Sequence, residues 1–171
     1  RTSLKGKVAL STGGTAGIGE STVRCLAARG VKVVFTGSNQ AAADAICAET
    51  GGIFVPHRVD DAEGWMLVTR TIQDRCGRLD IAFANAGTHS GDGTIEEIKL
   101  SAWNAILSVN LTGAMLTCQH AIAIMKNNPG GSSGSIVLNS SMNGIMALKA
   151  DVAHSPANEP SGVVAKAGGV H

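Results

Sequence analysis

Residues 8–20, with the sequence VALSTGGTAGIGE, decide the fold of this chain. A short apolar run leads into a glycine-rich turn, and Ile18, Val23 and Leu26 then recur at helical spacing as far as Arg29-Gly30. This order predicts a strand, a tight loop and a helix. Glycines let a backbone turn sharply and approach a ligand closely, and free N–H groups at a helix N-terminus attract phosphate. The stretch therefore predicts a phosphate-binding loop, and the alternative is a glycine-rich turn without a ligand.

Strand and helix patterns alternate along the rest of the chain. Strands are predicted at residues 7–10, 31–36, 53–55, 79–84 and 135–139. Helices are predicted at 17–29, 40–50 and 62–76, and a long helix capped by Ser101 is predicted to run to about residue 126. The apolar side of this long helix is predicted to carry Trp103, Ile106, Leu107, Leu111 and Met115. We predict an α/β fold, a doubly wound parallel sheet with helices on both faces in three α/β/α layers.

Small or polar residues follow the predicted strands: Thr12, Gly37, Asp60, Asn85 and Ser140. The carboxyl ends of parallel strands meet at one edge of the sheet, and ligands bind outside that edge. This edge is therefore the predicted binding site.

Composition favours one globular domain over residues 1–171. Hydrophobic residues make up 44% of the chain, charged residues 16%, and the formal net charge is +1. No basic patch predicts nucleic acid as a partner, and no apolar run approaches the roughly 20 residues of a membrane span. Without a signal-peptide pattern, a cytoplasmic protein with no membrane partner is expected.

The four cysteines, Cys25, Cys47, Cys76 and Cys118, lie in predicted helices and form no C-x-x-C pair. They are predicted to be small buried hydrophobic residues, with neither a metal site nor a disulfide framework.

The glycine loop has the order T-G-x-x-x-G-I-G, which resembles the short-chain dehydrogenase/reductase family and its Rossmann fold. The resemblance implies that the loop residues Gly13, Thr15, Gly17, Ile18 and Gly19 bind NAD or NADP. It also implies that the family's N-A-G segment, here Asn85, Ala86 and Gly87, stabilises the sheet and lines the cofactor.

Two more cofactor positions are implied. Asp60 stands where the family uses an aspartate near the adenine, with the backbone of Asp61 assisting, and the alternative is a surface turn carboxylate. Ser38 follows the second strand, where an acidic residue would bind a ribose 2′-hydroxyl. Neither an acid nor a cation is evident there, and Ala16 stands where many NADP-dependent relatives carry a basic residue. The missing acid mildly favours NADP over NAD.

The resemblance also implies three catalytic residues. Asn110 matches the asparagine that perturbs the long helix and holds a water in a proton relay. Ser141, with Ser140 as the fallback, matches the serine that donates to the substrate oxygen. Lys166 matches the lysine of Y-x-x-x-K, which anchors the ribose and tunes the proton donor. The implied reaction is hydride transfer between the nicotinamide and a carbonyl or secondary alcohol, in a homodimer or homotetramer.

The last part of the chain departs from the family pattern. None of the 171 residues is tyrosine, and Gly162 stands four residues before Lys166. His154 lies about where spacing alone would put the tyrosine, but Asn158 stands where its lysine should be. We therefore expect that the C-terminal part of the family fold is missing. The open alternatives are an active reductase with an incomplete or miscalled sequence and an inactive nucleotide-binding scaffold.

Overall fold

Five short strands form the centre of the molecule. They are β1 (Val8–Ser11), β2 (Lys32–Gly37), β3 (Ile53–Pro56), β4 (Ile81–Ala84) and β5 (Ser135–Leu138). The computed structural model describes residues 3–89, 91 and 93–141. In this part of the chain all strand pairs are parallel, in the order β3-β2-β1-β4-β5. The predicted parallel sheet is confirmed.

Helices lie between the strands. They are α1 (Gly17–Ala27), α2 (Gln40–Thr50), α3 (Trp65–Cys76), α4 (Leu100–Leu107) and α5 (Gly113–Met125). A π-helical turn, Ser108–Thr112, joins α4 to α5. The bounds of α2 match the prediction because both of its ends are marked. The Asn39 side chain accepts a hydrogen bond from the Ala42 N–H at 3.1 Å, and Gly51 ends the helix with φ of 67°.

The apolar strand residues alternate between two cores, as the pleat of a strand requires. On one face, Leu10 and Val34 pack with α3 and α5 residues such as Trp65 and Met125. On the other face, Ala9, Val33 and Phe35 pack with residues of α1 and α2. Both faces of the sheet are therefore covered, and the predicted three-layer α/β/α fold is confirmed.

Some local predictions were wrong. Helix α3 begins at Trp65 because Asp61 accepts a hydrogen bond from the Gly64 N–H at 3.1 Å and closes a turn ahead of it. Ser101 lies inside α4, whose capping position is Lys99. Met115 is 40% exposed, since α5 turns Leu116, Ala121 and Met125 toward the sheet instead.

The cysteines lie in α1, α2, α3 and α5, as predicted, but their burial differs from the prediction. Cys118 is buried, Cys47 and Cys76 are half-buried, and Cys25 is exposed. Cys25 lies on the outer side of α1, where Arg29 donates a hydrogen bond to its carbonyl at 3.0 Å.

The combined helix Leu100–Met125 is 26 residues long, with a mean hydropathy of 1.2 over an 18-residue window. By length and composition alone it could cross a membrane, which corrects the expectation that no segment approaches a span. In this window 39% of the residues are buried, and α5 packs against the sheet. The core helix of a soluble domain has the same features, so they are weak support for a span.

The carboxylate of Asp80 joins the starts of β1 and β4. It is 6% exposed and accepts hydrogen bonds from the Val8 N–H at 2.9 Å, from Arg78 at 2.6 and 2.9 Å, and from Lys7 at 3.1 Å. Burial alone would raise the pKa of Asp80, but the hydrogen bonds from Arg78, Val8 and Lys7 outweigh it and lower the pKa to about 2. The ionised form therefore stabilises the fold.

Asp80→Asn is expected to lower the free energy of unfolding at pH 7 by about 2 kcal/mol, because the native carboxylate binds its proton more weakly than the unfolded one. Since the folded pKa is depressed, this stabilisation is present above pH 4 and is lost as the pH falls toward 2. Urea unfolding between pH 2 and pH 7 measures it. The exposed Asp74 on α3 supplies the control, Asp74→Asn. Equal effects of the two variants at pH 7 would contradict the role of Asp80.

Candidate functional site

A cavity of about 570 Å³ lies at the carboxyl ends of β1, β2, β3 and β4. Its walls come from four strand exits and from the long helix. The lining residues are Gly13, Thr15, Ala16 and Gly17 after β1, Gly37 and Ser38 at β2, His57, Arg58, Val59 and Asp60 after β3, Asn85, Ala86, Gly87 and Thr88 after β4, and Ala105 and Val109. The edge of the sheet that the sequence predicted as a binding site thus carries a cavity.

The glycine loop needs glycine for two different reasons. Gly13 and Gly17 have φ of 65° and 52°, a backbone conformation that L side chains rarely adopt. Gly19 needs space, because a Cβ there would lie 2.1 Å from the Gly13 carbonyl oxygen. Gly19 is buried behind the loop and does not line the cavity, and neither does Ile18, whose side chain is 63% exposed. Gly13, Thr15 and Gly17 do line it.

The Thr12 hydroxyl connects this loop to the exit of β4. It accepts hydrogen bonds from the backbone N–H groups of Asn85 at 2.9 Å and Ala86 at 3.1 Å, and donates to the Phe83 carbonyl at 3.3 Å. The Asn85 side chain returns a bond to the Thr12 carbonyl at 3.1 Å. Thr12 is 1% exposed, so its hydroxyl is shielded from solvent. The predicted segment Asn85-Ala86-Gly87 is thereby held against the glycine loop.

Ser38 lines the cavity where β2 ends, beside the loop that follows β1. Gly37 is tightly enclosed, because a Cβ there would lie 2.5 Å from the Thr15 hydroxyl oxygen. The Gly14 N–H also donates to the Thr36 carbonyl at 2.8 Å. The glycine loop and the end of β2 therefore form one continuous wall.

Asp60 lines the cavity and Asp61 does not. One oxygen of Asp60 accepts from Arg58 at 3.0 Å and from Ser108 at 3.3 Å, while the other is buried without a hydrogen-bond partner in the described part of the chain. Burial acts to raise the pKa of Asp60, but the bonds from Arg58 and Ser108 outweigh it and hold that pKa below its ordinary value. Asp60 is therefore ionised at neutral pH. Asp61 uses its carboxylate in the turn before α3.

Arg58 and His57 also line the cavity, and neither was predicted from the sequence. No cation was expected near Ser38, whereas Arg58 lies at the same cavity. The position of Arg58 in the sequence could have identified it. Arg58 stands two residues before Asp60 and follows β3, the strand next to β2.

His57 belongs to a buried aromatic group behind the cavity wall. Its ring meets Trp65 edge-on at 4.7 Å, and Trp65 stacks on His120 at 5.1 Å. Burial lowers the pKa of His57, an effect that Asp61 opposes, and burial also lowers the pKa of His120. Trp65 donates to the Val59 carbonyl at 3.0 Å, so this group fixes the segment that carries Arg58 and Asp60.

Asn110 lies in the π-helical turn and is 7% exposed. Its side-chain oxygen accepts from the Thr88 N–H at 2.7 Å, and its side-chain amide donates to the Thr88 carbonyl at 2.9 Å. Asn110 therefore fixes the chain just after Gly87, where Thr88 lines the cavity. The helix distortion implied by the family resemblance is found here.

Ser140 and Ser141 follow β5 at the same edge of the sheet. The preceding Asn139 is bonded to the neighbouring exit, through its N–H to the Ala84 carbonyl at 2.9 Å and through its side chain to that of Asn85 at 3.0 Å. Neither serine is among the cavity-lining residues. Lys166, His154 and Gly162 lie outside the described residues.

The described residues contain no group of three or more histidine, cysteine or acidic side chains that could hold a metal ion.

Thr12→Val is expected to lower the free energy of unfolding by about 1–3 kcal/mol, because the N–H groups of Asn85 and Ala86 lose a buried acceptor. Thermal and urea unfolding measure the loss. The control is Thr22→Val, which removes a hydroxyl that bonds only to its own helix, at the Ile18 carbonyl. A loss no larger than in the control would contradict the connecting role of Thr12.

Comparison with known proteins identifies the family. A family model described as short chain dehydrogenase matches residues 7–157. The 3-beta-hydroxysteroid dehydrogenase of Comamonas testosteroni is 38% identical over 129 residues, which cover 74% of this chain and 50% of that protein. The NADP-dependent (R)-specific alcohol dehydrogenase of Lentilactobacillus kefiri is 34% identical over 147 residues, which cover 84% of this chain and 57% of that protein.

The fold agrees with this assignment. The crystal structure of levodione reductase superposes with a TM-score of 0.88 at 25% identity, covering 95% of this chain and 65% of that one. The chain spans about half the length of the curated relatives it matches. Members of this family use NAD or NADP. The chain, with its Rossmann fold and its glycine loop, belongs to the short chain dehydrogenase family.

Proposed function

We propose that this chain is the dinucleotide-binding part of an oxidoreductase that transfers hydride between a nicotinamide and a carbonyl or secondary alcohol. The supporting observation is the cavity whose walls are the glycine loop and the Asn85–Gly87 segment, held together by Thr12. In parallel sheets this edge is where ligands bind. Family membership and relatives named as dehydrogenases support the same activity.

The residues present fit a dinucleotide. Positive φ at Gly13 and Gly17 lets the loop turn ahead of the N-terminus of α1, whose free N–H groups favour a pyrophosphate. Ser38 would contact the adenine ribose, and Asp60 would contact the adenine. The rest of the ligand would lie along Asn85, Ala86 and Gly87. When bound, the nicotinamide supplies or accepts the hydride.

We propose that Ser141 and Lys166 act in the chemical step and that Asn110 positions the site. The Ser141 hydroxyl donates to the substrate oxygen as negative charge develops there. Lys166 anchors the ribose and lowers the pKa of the group that exchanges the proton. Asn110 fixes the backbone at Thr88, because its side-chain amide bonds to both the N–H and the carbonyl of Thr88. It also shapes the long helix.

A second candidate function is dinucleotide binding without turnover, as in a regulatory scaffold. One observation favours it: none of the 171 residues is tyrosine, and Gly162 stands where the family pattern places that proton donor. Loss of a general acid costs about 100- to 10,000-fold in rate, which would silence a modest enzyme.

Binding of NADH and NADPH, followed by fluorescence of the reduced nicotinamide, and turnover with a panel of carbonyl substrates separate these functions. Ser141→Ala is expected to lower turnover by about 100- to 1000-fold while leaving dinucleotide affinity unchanged. Ser132→Ala, in the exposed loop before β5, is the control. Binding without turnover would leave the scaffold function, and absence of binding would overturn both proposals.

NADP is proposed as the cofactor in preference to NAD. The stretch after β2, Gly37-Ser38-Asn39-Gln40, has no carboxylate to bind a ribose 2′-hydroxyl or to repel a 2′-phosphate. One relative is named as NADP-dependent.

A homodimer or homotetramer through the long helices is proposed as well. The outer side of α5 carries Met115 at 40% exposure. Met115→Glu is expected to dissociate the assembly, because a charge would enter an apolar contact, and sedimentation velocity measures the change. Met66 on α3, at 64% exposure, supplies the control Met66→Glu. Unchanged sedimentation of the Met115 variant would contradict an interface at this face.

A further inference from the structure

We infer that Arg58 binds the 2′-phosphate of NADP and thereby determines cofactor choice. This inference rests on the proposed dinucleotide-binding function. It adds a residue to the site, because Arg58 follows β3 whereas Ser38 follows β2.

The sheet brings Arg58 to the end of β2. Strands β2 and β3 pair in parallel with Gly37 opposite Pro56, and the His57 N–H donates to the Gly37 carbonyl at 3.2 Å. Arg58 is the next residue along the chain, and both it and Ser38 line the cavity. In dinucleotide-binding folds, residues at the end of the second strand contact the 2′-position of the adenine ribose. An arginine nearby accommodates a 2′-phosphate.

Arg58 has the charge and the free donors for this ligand. Among the cavity-lining residues of the described chain it is the only cation, and Asp60 is the only carboxylate. A guanidinium has five N–H donors in a planar fork that matches phosphate. In the described structure the Arg58 side chain forms one hydrogen bond, from Nη2 to Asp60 at 3.0 Å. Its remaining donors are available to a ligand.

Asp60 orients Arg58 without shielding it. The Asp60 side chain is 17% exposed and the Arg58 side chain 66% exposed, so an entering phosphate meets the guanidinium first. Asp60 is itself held by Ser108 at 3.3 Å, and the Val59 carbonyl between the two charged residues accepts from the buried Trp65. The guanidinium therefore stands on a fixed backbone, and less side-chain freedom is lost when it binds an anion.

The test uses two fragments that differ only in the phosphate at the ribose 2′-position, 2′,5′-ADP and 5′-AMP, with binding to the whole chain measured by calorimetry. The unmodified protein is expected to bind 2′,5′-ADP more tightly. Arg58→Gln is expected to weaken 2′,5′-ADP binding by about 10- to 100-fold, the range for loss of a charge-assisted contact, and to change 5′-AMP binding by less than about twofold. Arg58→Lys keeps the charge but not the fork, so an intermediate loss is expected.

The matched control is Arg70→Gln, which removes an exposed arginine of α3 that does not line the cavity. Circular dichroism of each variant checks that it is folded. If Arg58→Gln retains the preference for 2′,5′-ADP, the inference is overturned and the proposed cofactor stands. If the unmodified protein binds both fragments equally, the inference and the NADP proposal both fall. If it binds neither fragment, dinucleotide binding itself is overturned.

Discussion

The buried hydroxyl of Thr12 connects the glycine loop to the exit of β4 at the cavity edge of the sheet. Strands β1 and β4 are neighbours, but each has only four residues, and pairing along them ends before the cavity begins. Thr12 extends the connection between the two strands, because its hydroxyl accepts hydrogen bonds from two backbone N–H groups at the exit of β4. The threonine itself is 1% exposed, and loss of its buried acceptor would weaken this connection. The sharply turned glycine loop is thereby held against the exit of β4.

Features that depend on neighbouring residues in the chain could be predicted from the sequence. The glycine spacing, the alternation of strands and helices, and the ends of α2 follow from backbone conformations available to Gly, Asn and β-branched residues. Of the residues that the sequence put forward for the site, Gly13, Gly17, Ser38, Asp60 and Asn85 all line the cavity, because parallel strands end at one edge.

Features that depend on contacts across the sheet could not be predicted in this way. Arg58 was missed because its relation to Ser38 arises from the pairing of β2 with β3. Asp61 was expected to assist at the adenine through its backbone. Its carboxylate closes the turn before α3, and Asp61 is not among the cavity-lining residues, which the run of two acids alone did not indicate. The exposure of Met115 and Cys25 likewise depends on which side of each helix meets the sheet, and the apolar pattern alone left this open.

In the described part of the chain, the cavity walls come from four strand exits and one helix. A ligand that touches all of these segments is therefore a further cross-connection between them. Any molecule that binds the native state and not the unfolded chain stabilises the native state by mass action, by about 2.7 kcal/mol at a free concentration one hundred times its dissociation constant. In a sheet of strands this short, a ligand held in the cavity would therefore add to the stability of the fold as well as occupy the site.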